Sequence, residues 1–181
     1  MLFHSSRLGI ALAIGSLSAI TLLPGVSNAV QLRNSRTAFD SSPQLLDVSS
    51  SNTSREASST YFFTIKVPEN AGTGLKALRI QALNNQQPTV LRANTLKAFV
   101  GKPGNKGKLQ LAGVGGPDKP DALSVVFSEP VRPGEIVTVS VKPDRNPFDL
   151  GYYNYSVTAF PEGPDGIAQP LGIGRITVDG D

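Results

Sequence analysis

The chain has no cysteine, no tryptophan, one histidine (His4) and one methionine (Met1). Those last two fall in the opening segment MLFHSSRLGIALAIGSLSAITLLPGVSNA. A short basic start, an apolar run of roughly 16 residues and a small-x-Ala ending fit a secretory signal peptide cut after Ala29. A membrane-spanning helix needs about 20 apolar residues, and this run is shorter, with two glycines and three hydroxyl side chains. No later segment is apolar enough to span a bilayer. The expected mature chain begins at Val30, works outside the cytoplasm, and has no imidazole, thiol or thioether.

Those absences exclude whole chemistries. A serine or cysteine nucleophile of the usual kind needs an adjacent base, most often histidine. Zinc and copper sites draw on imidazole and thiolate donors. Export also removes a reducing compartment as the reason for the missing cysteine, so the fold has to hold by packing alone. The 152 residues left after cleavage suffice. A domain near that size buries roughly 70% of its unfolded-chain surface.

Charge is present but modest: the formal net charge is +3, which does not indicate a nucleic-acid binder. Lys97, Lys102, Lys106, Lys108 and Lys119 nevertheless share one Gly- and Pro-containing stretch, countered mainly by Asp118 and Asp121. One reading is a cationic loop that meets anionic envelope polysaccharide. The commoner one is a solvated surface whose charges keep edge strands apart.

Residues 30–59 are rich in Ser and Thr and start as a flexible arm, with a possible edge strand at 44–48. Beyond them the pattern is β. In TYFFTIKV, Tyr61, Phe63, Ile65 and Val67 alternate onto one face. LKALRIQAL places Leu78 and Ile80 on its core face, opposite Leu75, Ala77, Arg79, Gln81 and Leu83. Further strands are expected at 91–100, 108–114, 122–127, 136–142, 152–160 and 171–178, each bounded by Gly, Pro, Asn or Asp. Strands at roughly ten-residue spacing predict a sandwich or barrel. The expected domains are a leader over 1–29, the arm over 30–59 and a β-sandwich over 60–181.

FSEPVRPGEIVTVSVKP reads as a hairpin. Pro133 and Gly134 match the central positions of a type II turn, because Pro presets φ and Gly accepts the positive φ that follows. Glu129 and Glu135 then flank the turn as exposed strand-end residues rather than as a catalytic pair. DLGYYNYSV has the spacing of an immunoglobulin-type strand F. Tyr153 would be the corner tyrosine and Tyr155 would fill the place of the core cysteine. Tyr152, Asn154 and Ser156 would face outward, leaving one aromatic there, too few for a sugar-stacking platform. GGPDKPD and PEGPDG keep no EF-hand spacing, although Asp118, Asp121, Glu162 and Asp165 could supply calcium oxygens. GVGG and GIG lack the Lys-Ser/Thr of a phosphate loop.

YFFTIKVPENAG with LRIQ, FSEPVRPGEIVTVSVKPDRNP, GYYNYSVTAFPEG and LGIGR, preceded by FDSSPQLLDVSSS, together resemble the cyanobacterial domain of unknown function 2808. The resemblance covers about residues 39–178. It implies an exported protein, periplasmic, envelope-associated or extracellular, and no activity. SVVFSEPV and the later G-x-Y strand also look like periplasmic copper carriers of the CopC type. Where those carriers have DGH, this chain reads PDGIAQP, with Ile167 after Gly166, so the likeness extends to fold and not to metal.

The expectation is an all-β, immunoglobulin-like antiparallel β-sandwich of about seven to eight strands. It is non-catalytic, binds no cofactor, metal or nucleic acid, and acts as an envelope or extracellular interaction module. Its partner would be anionic envelope polysaccharide or another envelope protein. The alternatives are a carrier-like sandwich without copper ligands, or a carboxylate-only hydrolase. The hydrolase would need a clustered pair among Glu129, Glu135, Asp144, Asp149 and Glu162 in one concave pocket.

Overall fold

Ten strands in two five-stranded antiparallel sheets make up the computed structural model, which describes residues 36–83, 89–104, 107–115 and 122–180. The expected leader lies outside the described residues. In chain order the strands are β1 (Gln44–Ser50), β2 (Tyr61–Lys66), β3 (Leu75–Leu83), β4 (Leu91–Val100), β5 (Lys108–Leu109), β6 (Leu111–Gly115), β7 (Ala122–Val131), β8 (Ile136–Pro143), β9 (Gly151–Pro161) and β10 (Gln169–Val178). One sheet runs β1-β2-β8-β4-β5 and the other β10-β9-β3-β7-β6. The first four strands of the former occupy the A-B-E-D places of an immunoglobulin sandwich, and β10-β9-β3 occupy G-F-C. The protein is an immunoglobulin-like β-sandwich. The count exceeds the expected seven to eight partly because 108–114 is two strands: the chain passes from one sheet to the other at Gln110, whose carbonyl accepts from the Ser128 amide (2.9 Å).

The period-2 alternation assembles the core. Tyr61, Phe63 and Ile65 of β2, Val137, Val139 and Val141 of β8, and Tyr153, Tyr155 and Val157 of β9 all point between the sheets and are buried. Leu75 departs from the expected face and is fully buried. A register shift between Leu75 and Ala77 inserts one extra residue, so alternation restarts there and both Leu75 and Leu78 face inward. On the β1–β10 side the sheets approach so closely that a Cβ on Gly174 would overlap the Val48 side chain.

The β7–β8 connection corrects the hairpin reading. Its turn is as expected: Gly134 has φ 89° and the Glu135 amide donates to Arg132 O (3.1 Å). The Glu135 carboxylate also caps the Arg132 amide (2.9 Å). But β7 pairs with β3 and β6, while β8 pairs with β2 and β4. The turn is therefore an arch between sheets, pinned where the Gly134 amide donates to Val67 O (2.9 Å). Turn chemistry sets the local reversal and leaves open which partners the two strands then choose.

Strand β9 carries the expected corner. The Tyr153 hydroxyl donates to the Asp149 carbonyl four residues upstream (2.9 Å), the backbone contact that defines a tyrosine corner. Tyr153→Phe removes that bond and little else. It should lower unfolding free energy by about 1 kcal/mol in chemical denaturation, with the slope unchanged. A loss too small to detect would mean that the bond only decorates the turn.

Candidate functional site

Strand pairing brings lysines together that are far apart in sequence. Along β8, Val137, Val139 and Val141 face the core, so Thr138, Ser140 and Lys142 face outward. Lys97 pairs with Ser140 and Phe99 with Thr138, and Lys108 of β5 sits opposite Phe99. Lys66 ends the outward row of β2 after Phe62 and Thr64. Lys66, Lys97, Lys108 and Lys142 are thus exposed on one sheet face, and Lys102 joins them from the β4–β5 connection. Asp47 of β1, opposite Thr64, is the one carboxylate that the described strands place on this face. Among the described residues the single ion pair is Arg92–Asp144 at its margin. None of the five lysines forms an ion pair with another described residue.

Of the five lysines expected to act together, Lys97, Lys102 and Lys108 do share this face. Lys106 and Lys119 lie outside the described residues. Lys66 and Lys142 went unread because they belong to segments far from the 97–119 stretch. Only the β2-β8-β4 pairing joins them.

The residues after β4 fold back across the sheet. Thr64 and Thr138 lie on the outer face yet are 2% and 0% exposed. The Thr138 hydroxyl donates to Gly101 O (2.6 Å) and lies 3.0 Å from the Thr64 hydroxyl. Between this fold-back and β1 is a cavity of about 210 Å³ lined by Leu46, Asp47, Thr64, Lys102 and Pro103.

A second, broader cavity of about 380 Å³ is lined by Gly74, Glu129, Pro130, Arg132, Pro133 and Glu162. It brings together two of the five carboxylates that a hydrolase was expected to cluster. Both are exposed, and Arg132 stands beside them. Glu135 is engaged by the Arg132 amide and Asp144 by Arg92. For the calcium reading, Asp118 and Asp121 lie outside the described residues. Among those described, no three or more His, Cys, Asp or Glu side chains are grouped to hold a metal ion.

The opposite sheet face carries two exposed or half-exposed rings rather than the expected one. Arg175 lies over Tyr152 (4.6 Å to the ring centroid) and Arg79 over Phe160 (5.5 Å). The rings are eight residues apart on β9, roughly 27 Å at strand rise, too far to stack neighbouring sugars.

A family model matches residues 36–178, that of the proteins of unknown function DUF2808. The chain belongs to that family. No curated protein matches it. Among solved structures, an uncharacterised Nocardia farcinica protein with an immunoglobulin-like fold is 13% identical, with 73% of this chain and 96% of that chain covered and a TM-score of 0.45. The collagen-binding domain of a Staphylococcus aureus adhesin is 9% identical (67% and 89% covered, TM-score 0.38). The N-terminal domain of the Streptococcus gordonii adhesin Sgo0707 is 16% identical (78% and 33% covered, TM-score 0.48). Among the described residues no helix is long and apolar enough to cross a membrane.

Proposed function

We propose that this member of the family is an exported, non-catalytic binding module whose lysine-bearing sheet face docks anionic polysaccharide of the cell envelope. One observation carries the reading: five lysines share a face on which the described strands place one carboxylate, and none of the five is ion-paired to a described residue. An ordinary solvated surface intersperses both signs, whereas single-sign faces concentrate counter-charged ligands. Protection of sheet edges accounts for Lys108 on β5, but Lys66, Lys97 and Lys142 sit on inner strands β2, β4 and β8, where no edge needs guarding. The leader-like first 29 residues support export. A copper carrier would need donors that the chain lacks after Ala29. A carboxyl pair performing hydrolysis needs one member screened from water to serve as acid, and Glu129 and Glu162 are both exposed.

Titration calorimetry with alginate checks the docking face. Binding should weaken at least about tenfold from 0.1 M to 1 M salt, as the Debye length falls from about 10 to about 3 Å. Replacing Lys66, Lys97, Lys108 and Lys142 together by Gln should abolish low-salt binding while leaving the melting temperature near wild type. Alginate binding that survives the four substitutions would place the docking surface elsewhere.

A further inference from the structure

The small cavity on the lysine face has a polarity that its surroundings do not. Thr138 has one hydroxyl hydrogen, and it goes to Gly101 O (2.6 Å). The hydrogen in the Thr64–Thr138 contact must then come from Thr64, so Thr64 offers the cavity lone pairs only. Asp47 offers more acceptors. The Ser49 hydroxyl donates to its Oδ2 (2.9 Å), orienting the carboxylate and leaving Oδ1 open. Lys102 is the one charged donor among the described lining residues, and no ion pair joins it to Asp47. Leu46 and Pro103 supply apolar wall.

A bare carboxylate, sulfate or phosphate fits this lining poorly, because two of its three polar side chains are acceptors and one is anionic. An ammonium group would suit those acceptors but would be repelled by Lys102 and the lysines around it. Hydroxyl groups satisfy both requirements, since each can donate and accept. Apolar walls suit the C–H face of a ring. At about 210 Å³ the cavity is smaller than the roughly 300–1,000 Å³ that encloses drug-sized ligands, which leaves room for one ring of a chain.

We propose that this cavity is a sugar-ring seat: hydroxyls of one pyranose unit donate to Asp47 and Thr64 and accept from Lys102, while the flanking lysines hold the anionic groups of neighbouring units. The seat rests on the docking reading above and deepens it by specifying a polysaccharide over other polyanions.

The sign of one substitution separates seat from charge. Asp47→Ala removes the one carboxylate that the described strands place on a cationic face, so pure electrostatics makes any polyanion bind tighter. Loss of a seat makes a polysaccharide bind more weakly and leaves a polyanion without rings unaffected or tighter. The experiment titrates the mature protein and the Asp47→Ala and Thr64→Val variants with alginate and with polyphosphate of matched charge, at 0.1 M and 1 M salt. At 1 M salt alginate should bind wild type about tenfold more tightly than polyphosphate does, the worth of a charge-assisted hydrogen bond or two. Each variant should lose that margin, and Asp47→Ala should weaken alginate and not polyphosphate at 0.1 M salt. Asp47 is exposed, so its variant should melt with wild type and carry the test even if Thr64→Val is unstable. Equal affinity for both polymers, or tighter alginate binding by Asp47→Ala, overturns the seat and leaves the lysine face standing. No binding of either polymer by wild type overturns both.

Discussion

Tyr155→Ala should destabilise the protein by about 3–5 kcal/mol, the range for truncating a buried aromatic, whereas Tyr155→Phe should cost nothing measurable. Tyr155 is fully buried and stands where a disulfide-bonded immunoglobulin domain places its strand-F cysteine. The link it makes across the sandwich is aromatic. Its ring meets Tyr61 and Phe63 of β2 edge-on, at centroid distances of 5.9 and 5.8 Å. Such pairs add roughly 0.5–1.5 kcal/mol beyond the area they bury, so the alanine variant loses two contacts as well as core volume.

The hydroxyl is another matter. Among the described residues no group meets hydrogen-bonding geometry with Tyr155 Oη, although Thr89 and Tyr61 stand near enough to offset part of its pKa rise. Removing a buried, unpartnered polar atom relieves a desolvation cost rather than breaking a bond. Tyr152→Ala is the internal control: that ring is 64% exposed, and its stacking with Arg175 is worth under about 1 kcal/mol at such a site. Urea denaturation of the three variants checks the set. Similar small losses for Tyr155→Ala and Tyr152→Ala would remove the aromatic link from the account of stability.

The same residues set an alkaline limit. Burial pushes the Tyr155 phenol up to about 12 from its ordinary value near 10, and burial raises Tyr61 too. Below pH 10 these phenols are protonated folded and unfolded alike, so they contribute no slope. Above it the unfolded chain loses protons that the folded chain keeps, and stability falls. Absorbance of phenolate from these buried rings should therefore appear together with unfolding between about pH 10 and pH 12.

What could be read from the sequence, and what could not, follows the range of each signal. Alternation and turn residues act over a few positions, so the strands, the Gly134 turn and the Tyr153–Tyr155 spacing were legible. Partner choice is long-range: nothing in VRPGE says that β7 and β8 enter different sheets, and nothing local marks the extra residue that turns Leu75 inward. The lysine face was half legible for the same reason. Lys97, Lys102 and Lys108 are near in sequence, while Lys66 and Lys142 join them only through pairing. The cavity was not legible at all, since Asp47, Thr64 and Lys102 come from three segments and acquire meaning from the Thr138–Gly101 hydrogen bond.

Asn146→Ala should cost about 3 kcal/mol, a loss that composition gives no hint of. Asn146 is 2% exposed, and every hydrogen-bonding atom of its amide is engaged. Its Oδ1 accepts from the Tyr61 hydroxyl (3.0 Å), and its Nδ2 donates to Asn52 O (2.9 Å) and Ser54 O (2.8 Å). The backbone amide of Asn146 also donates to Ala57 O (3.0 Å). One side chain thus ties the β1–β2 connection to the β8–β9 connection and satisfies the buried phenol of β2. Truncation strands the phenol and two carbonyls, each at roughly 1–3 kcal/mol if water cannot reach it, and the carbonyls at the loop surface recover part of that. Asn146→Asp separates hydrogen bonding from volume. At neutral pH the introduced carboxylate would face two carbonyls with no hydrogen to give, so it should be at least as destabilising as alanine. Those carbonyls favour the protonated form and raise the folded-state pKa above the unfolded value near 3.9, so stability should be regained as pH falls toward that value. It should be lost again as pH rises through the folded-state pKa. Thermal melts of both variants between pH 3 and pH 8 check this: a pH-independent deficit in Asn146→Asp would show that shape, and not the two donated hydrogen bonds, is what the site requires.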